Sequence, residues 1–102
     1  MLRHQPNMRF HLVAGTAAVV LGLALGLPIA QWSAVTFAVV LVLLGETLNS
    51  AIEALLDIIH PDHHPLVKVA KDLAAGAVLI AAIGAAVIAL LVFVPPLARL
   101  IH

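Results

Sequence analysis

A chain of 102 residues that is 64% hydrophobic and only 10% charged carries more apolar surface than one soluble core of this size could hide, and its mean hydropathy of +1.18 places it in a membrane. Zero net charge, without any cluster of Lys and Arg, leaves no electrostatic footprint for nucleic acid. The lack of cysteine excludes disulfides, thiolate metal sites and a cysteine nucleophile.

Residues 1–11 form a short polar head in which Arg9 and His11 are expected to mark the membrane interface. Residues 12–29 are apolar and long enough to cross a hydrocarbon core of about 30 Å. They lack a small-x-small cleavage pattern, so the run reads as a retained span rather than a signal peptide. Gly22 and Gly26 make a small-xxx-small pair that would let a neighbouring backbone approach. Pro28 breaks the helix, and Gln31, Trp32 and Ser33 are expected to form the turn, with the indole at the interface.

The second span is expected over residues 33–59, capped by Ser33 or Thr36 and apolar as far as Leu44. A loop punctuated by Pro61 and Pro65 leads to a third span over residues 67–94, whose many Ala and Gly residues suit close helix packing. Pro95 and Pro96 should stop that helix and leave Arg99 and His102 in a tail. Arg3, Arg9, Lys68 and Lys71 fall on one side of the membrane and only Arg99 on the other. The amino terminus and the 60–66 loop are therefore expected in the cytoplasm.

Residues 46–57 break the apolar pattern. At about 100° per residue, Glu46, Asn49, Glu53 and Asp57 share one narrow stripe of the second helix, while Leu48, Ile52, Leu55 and Leu56 lie away from it. A carboxylate in a bilayer segment costs roughly 2.5–3.5 kcal/mol, so such residues normally face a protein interior or a wet cavity, where they hold ions or move protons. Glu53 with Asn49 offers the hard oxygens that Mg²⁺ accepts beside waters and phosphates. Lys71 could neutralise a phosphate. Glu46, about 10 Å deeper along the helix than Glu53, could take a proton from an alcohol that lives in the membrane. His60, His63 and His64 invite a zinc reading, but no second cluster supplies a further ligand, and they read as solvated loop residues.

The run Glu46-Thr47-Leu48-Asn49-Ser50-Ala51-Ile52-Glu53-Ala54-Leu55-Leu56-Asp57, followed by Ala70-Lys71-Asp72-Leu73-Ala74-Ala75-Gly76-Ala77-Val78, closely resembles the signature of the prokaryotic diacylglycerol kinase family, which includes undecaprenol kinases. The resemblance extends over about residues 7–83. It takes in an Asn-x-Arg-x-His-Leu run at Asn7 to Leu12 and a loop, Asp62-His63-His64-Pro65-Leu66, similar to that of Gram-positive undecaprenol kinases.

The resemblance implies an all-α, single-domain integral membrane protein of three transmembrane helices. It also implies assembly into a homotrimeric bundle in the bacterial inner membrane that transfers the γ-phosphate of MgATP to a lipid alcohol, undecaprenol or diacylglycerol. It implies that Glu46 is the catalytic base, in contact with the lipid hydroxyl, and Asn49 its polar support. Glu53 would be a Mg²⁺ ligand, Asp62, His63, His64, Lys71 and Asp72 would line the nucleotide site, and Ala75 would approach the lipid. The family's second metal-binding Glu, just before the first span, falls at Gln5, whose amide offers an oxygen without charge. The amphipathic surface helix that precedes it in relatives is expected to be absent. Two other readings fit parts of the pattern: a proton-coupled carrier with Glu46 as relay, and a catalytically impaired relative serving as a structural membrane subunit.

Overall fold

The computed structural model describes residues 6–60 and 64–101, as three helices: α1 (Pro6–Leu25), α2 (Ile29–Ile59) and α3 (Pro65–Ile101). All three are long and apolar enough to cross a membrane, which makes this an all-helical membrane protein. Lipid leaves every backbone amide and carbonyl to be satisfied within the chain, and unbroken helices do this. The hydroxyls follow the same rule: Thr16, Ser33 and Thr47 each donate to the carbonyl four residues earlier, on Leu12, Ile29 and Leu43.

The first turn lies earlier than residues 31–33. Gly26 adopts φ +64°, the left-handed conformation glycine enters without strain. Around it the Leu27 amide donates to the Gly22 carbonyl at 3.2 Å and the Gly26 amide to the Leu23 carbonyl at 3.3 Å, a Schellman closure of α1. Pro28 then precedes α2, and its carbonyl accepts from the amides of Gln31 and Trp32. Ser33 is thus inside the helix rather than its cap, because Pro28 already supplies the break and the carbonyl acceptor. Gly22 does not serve here as an open helix-packing face: a Cβ there would stand 2.7 Å from the Trp32 ring and 3.1 Å from a Leu27 methyl. The indole, expected at the interface, packs into the space this glycine leaves. Gly26→Ala places a Cβ in left-handed backbone at a cost of about 1–2 kcal/mol, so it should lower the thermal midpoint in detergent; an unchanged midpoint would contradict this turn.

Antiparallel α2 and α3 meet through small residues. A Cβ on Gly45 would lie 3.6 Å from that of Ala81, and Ala74 and Ala81, seven residues apart on α3, are both buried. Val35, Val92 and Phe93 make the core near the α1–α2 turn, with Trp32, Leu21 and Ile88 packed against it. Helix α3 continues through Pro95 and Pro96 to Ile101 instead of stopping there. Each proline lacks an amide hydrogen and crowds a carbonyl one turn earlier, but leaving the helix beside an apolar segment would strand more polar backbone than it relieves. Most other large apolar side chains, such as Leu23, Phe37, Ile80 and Leu91, point outward, as a lipid-facing surface requires.

Candidate active site at the charged end of the bundle

The antiparallel hairpins bring the start of α1, the carboxyl half of α2 and the start of α3 to one end. Glu46 is the most deeply enclosed residue there, with 2% of its surface exposed. Its Oε1 lies 3.0 Å from Nε2 of His11, contributed by α1 from 35 residues earlier in the chain. A buried carboxylate needs such a partner, since losing water without one is prohibitive. The His11 side chain turns inward, and His11 is the only histidine in contact with Glu46 among the described residues.

One turn further, Asn49 is half-buried. Its amide nitrogen makes a long contact, 3.5 Å, with Oε1 of Glu53, also half-buried. The carboxylate can only accept, so it draws the amide nitrogen toward itself and leaves the Asn49 oxygen pointing away. That oxygen and the Ser50 hydroxyl are buried without a hydrogen-bond partner among the described residues.

Toward the end of the bundle the charges pair. Lys71 Nζ lies 2.7 Å from Asp57 across α2 and α3, and the negative charge of Glu53 also acts on this ammonium. Lys68 bonds Asp72 at 2.8 Å along α3. All four side chains are more than a third exposed, in keeping with a water-facing end. Asp57, which could have been merely solvated, has a cation to face.

Helix α3 opens on a local device. His64 precedes Pro65 at the first helical position, and its Nδ1 accepts from the Leu66 amide at 3.1 Å, capping the helix as Ser or Asp usually does. Its ring also lies 5.2 Å from that of His60. Among the described residues no three His, Asp or Glu side chains cluster as a metal site. Gln5, Asp62 and His63 lie outside the described residues. Ala75 is exposed on α3.

Between the three helices is a cavity of about 270 Å³ with an apolar wall from α1 (Ala14, Ala18), α2 (Val39, Val42) and α3 (Ala86, Phe93). His11 also lines it; Glu46 does not.

Residues 1–93 match the sequence profile of the family described as prokaryotic diacylglycerol kinase. The chain belongs to that family. This kinase is 40% identical over 100 residues to the undecaprenol kinase of Bacillus subtilis (strain 168), covering 93% of its own length and 77% of the relative's. It is 37% identical over 97 residues to a diacylglycerol kinase of Synechocystis sp. (strain ATCC 27184 / PCC 6803 / Kazusa), covering 94% of its own length and 55% of that relative. No solved structure gives a significant match. Membership makes the chain an ATP-dependent lipid kinase of the membrane. At one end of the bundle the structure places a buried acid beside exposed cations.

Proposed function

We propose that this kinase transfers the γ-phosphate of ATP directly to the hydroxyl of a long-chain membrane alcohol of the undecaprenol or diacylglycerol type, at the cytoplasmic face of a bacterial inner membrane. The observation that carries the proposal is the graded burial of Glu46, Glu53 and Lys71 at one end of the bundle, from 2% exposed at Glu46 to 37% at Lys71. A fat-soluble alcohol can approach that series from its inner side and a water-soluble triphosphate from its outer side. Arg9, Lys68 and Lys71 belong to this end and Arg99 to the other, which supports a cytoplasmic site.

In the proposed reaction the hydroxyl O–H bond breaks and its proton ends on Glu46, with Asn49 as polar support. The alcohol oxygen bonds to the γ-phosphorus, and the bond from that phosphorus to the bridging oxygen breaks with its electron pair leaving on ADP. Lys71 exchanges Asp57 for phosphate oxygens, a substitution of one anion for another that costs little at an exposed site. Asp72, His64 and, outside the described residues, Asp62 and His63 are proposed to flank the nucleotide, and Ala75 to face the lipid.

The donor set fits Mg²⁺. The Asn49 oxygen is unpartnered and turned away from Glu53, and Glu53 adds a carboxylate on the same face, both hard oxygen ligands. Gln5 is proposed as a further, uncharged ligand. Bound there, the ion would neutralise charge on the β- and γ-phosphates. A homotrimer would close the site, since three helices leave its outer part open.

Full-length protein in mixed micelles with labelled ATP, Mg²⁺ and either undecaprenol or diacylglycerol should label the lipid. Label retained on the protein, or ping-pong kinetics, would count against direct transfer. ATP turnover with unlabelled lipid would count against the kinase reaction. Lys71→Met should raise the KM for ATP roughly tenfold, the loss of one charge-assisted contact, while Asp57→Asn should leave it within about twofold because that pair is exposed. Equal effects would mean that the ion pair itself, not the free cation, matters.

A further inference from the structure

We propose that the hydroxyl proton reaches Glu46 by way of His11, so that the imidazole rather than the carboxylate is the group that meets the acceptor alcohol. The proposal rests on the reading of Glu46 as the final proton acceptor, and it answers a difficulty that reading leaves open. Glu46 is 2% exposed and forms no part of the wall of the intramembrane cavity. An alcohol cannot touch it without a rearrangement of the surrounding helices. His11 is placed between: its side chain is 18% exposed, and it is the one polar residue among the described residues lining that cavity. Its Nε2 is already 3.0 Å from Oε1 of Glu46.

The relay uses the tautomer in which the ring donates to the carboxylate, with the hydrogen on Nε2 and the lone pair on Nδ1. A ring in that state has a basic nitrogen available to an alcohol and a proton ready to give to the carboxylate. The hydroxyl O–H bond breaks as its proton bonds to Nδ1; the Nε2–H bond breaks as its proton bonds to Oε1. The alcohol oxygen keeps the electron pair that attacks the γ-phosphorus, and ADP leaves with the pair of the broken bond. The ring ends neutral in the other tautomer and Glu46 ends protonated. A buried carboxylate that orients an imidazole is the arrangement that activates hydroxyl nucleophiles in hydrolases; there the proton stays on the ring, whereas here it passes on to Glu46.

The test is a kinetic comparison of full-length variants in mixed micelles with labelled ATP and undecaprenol. Glu46→Gln, His11→Ala and His11→Gln should each lower kcat by about 10²–10⁴-fold, the contribution of a positioned acid–base group, with the KM for ATP unchanged. Added imidazole should restore turnover to His11→Ala and not to Glu46→Gln. His11→Gln is the decisive variant, because its amide can still donate to Glu46 but cannot pass a proton. If His11→Gln turns over at the wild-type rate while Glu46→Gln is inactive, the relay is wrong, His11 is a tether, and the reading of Glu46 survives. Wild-type kcat in Glu46→Gln would instead remove the reading on which the relay rests. A His11→Ala protein with normal thermal midpoint and ATP KM that gains nothing from imidazole would also overturn the relay.

Discussion

Glu46→Gln should abolish most lipid phosphorylation, with kcat falling about 10²–10⁴-fold, while the protein keeps its helical content and its thermal midpoint. The two halves of this expectation have different causes. Glutamine has nearly the volume of glutamate, and its carbonyl oxygen can accept the hydrogen of His11 Nε2, so the tether between α1 and α2 survives. What it cannot do is take up a proton. Glu46→Leu separates the same causes from the other direction: it leaves the His11 nitrogen facing an apolar side chain, and the unmet donor should cost about 1–3 kcal/mol of stability in addition to the lost activity. Phosphorylation assays and thermal melts in the same detergent check both. If Glu46→Gln melted like Glu46→Leu, the acid would be acting as a structural pin, and its loss of activity would say nothing about proton uptake.

The stripe from Glu46 to Asp57 could be read in the sequence because a helix repeats its faces whatever surrounds it, and polar residues on one face of an apolar span have few places to go. The partners of that stripe were harder to read. His11 and Glu46 are separated by 35 residues, on opposite sides of the Gly26 turn, and an antiparallel hairpin brings its two arms back past each other. Placing the turn at residues 31–33 hid this, since in an antiparallel hairpin a displaced turn shifts the two helices against each other by twice the displacement. The Schellman closure at Gly22, Leu23, Gly26 and Leu27 was the missed signal: glycine followed by an apolar residue and proline is how a helix commonly stops. The run through Pro95 and Pro96 failed for a related reason. Proline breaks helices in water, where freed carbonyls find solvent; beside an apolar segment the alternative is worse. His64 as a helix cap was not readable from composition, because imidazole does that work only when the backbone presents the right amide.

Glu53→Gln should raise the Mg²⁺ concentration needed for half-maximal rate by roughly ten- to a hundredfold, the range seen when a metal site loses a supporting group, and should leave the KM for the lipid alcohol close to wild type. The side chain stands one turn outside Asn49 and within the field of Lys71, so in the proposed site its charge would meet phosphates entering from water rather than the acceptor. Removing that charge also frees the Asn49 amide, whose orientation the carboxylate sets. Asn49→Ala should therefore reproduce part of the same shift. Adding charge gives the converse: Gln5→Glu should lower the Mg²⁺ requirement of the wild-type protein and partly rescue Glu53→Gln, because a hard cation gains from each carboxylate that replaces a neutral oxygen. Metal titrations of the four variants in one lipid mixture decide the matter. A Mg²⁺ dependence that Glu53→Gln left unmoved, with the lipid KM raised instead, would move this carboxylate out of the metal's shell and into the acceptor's.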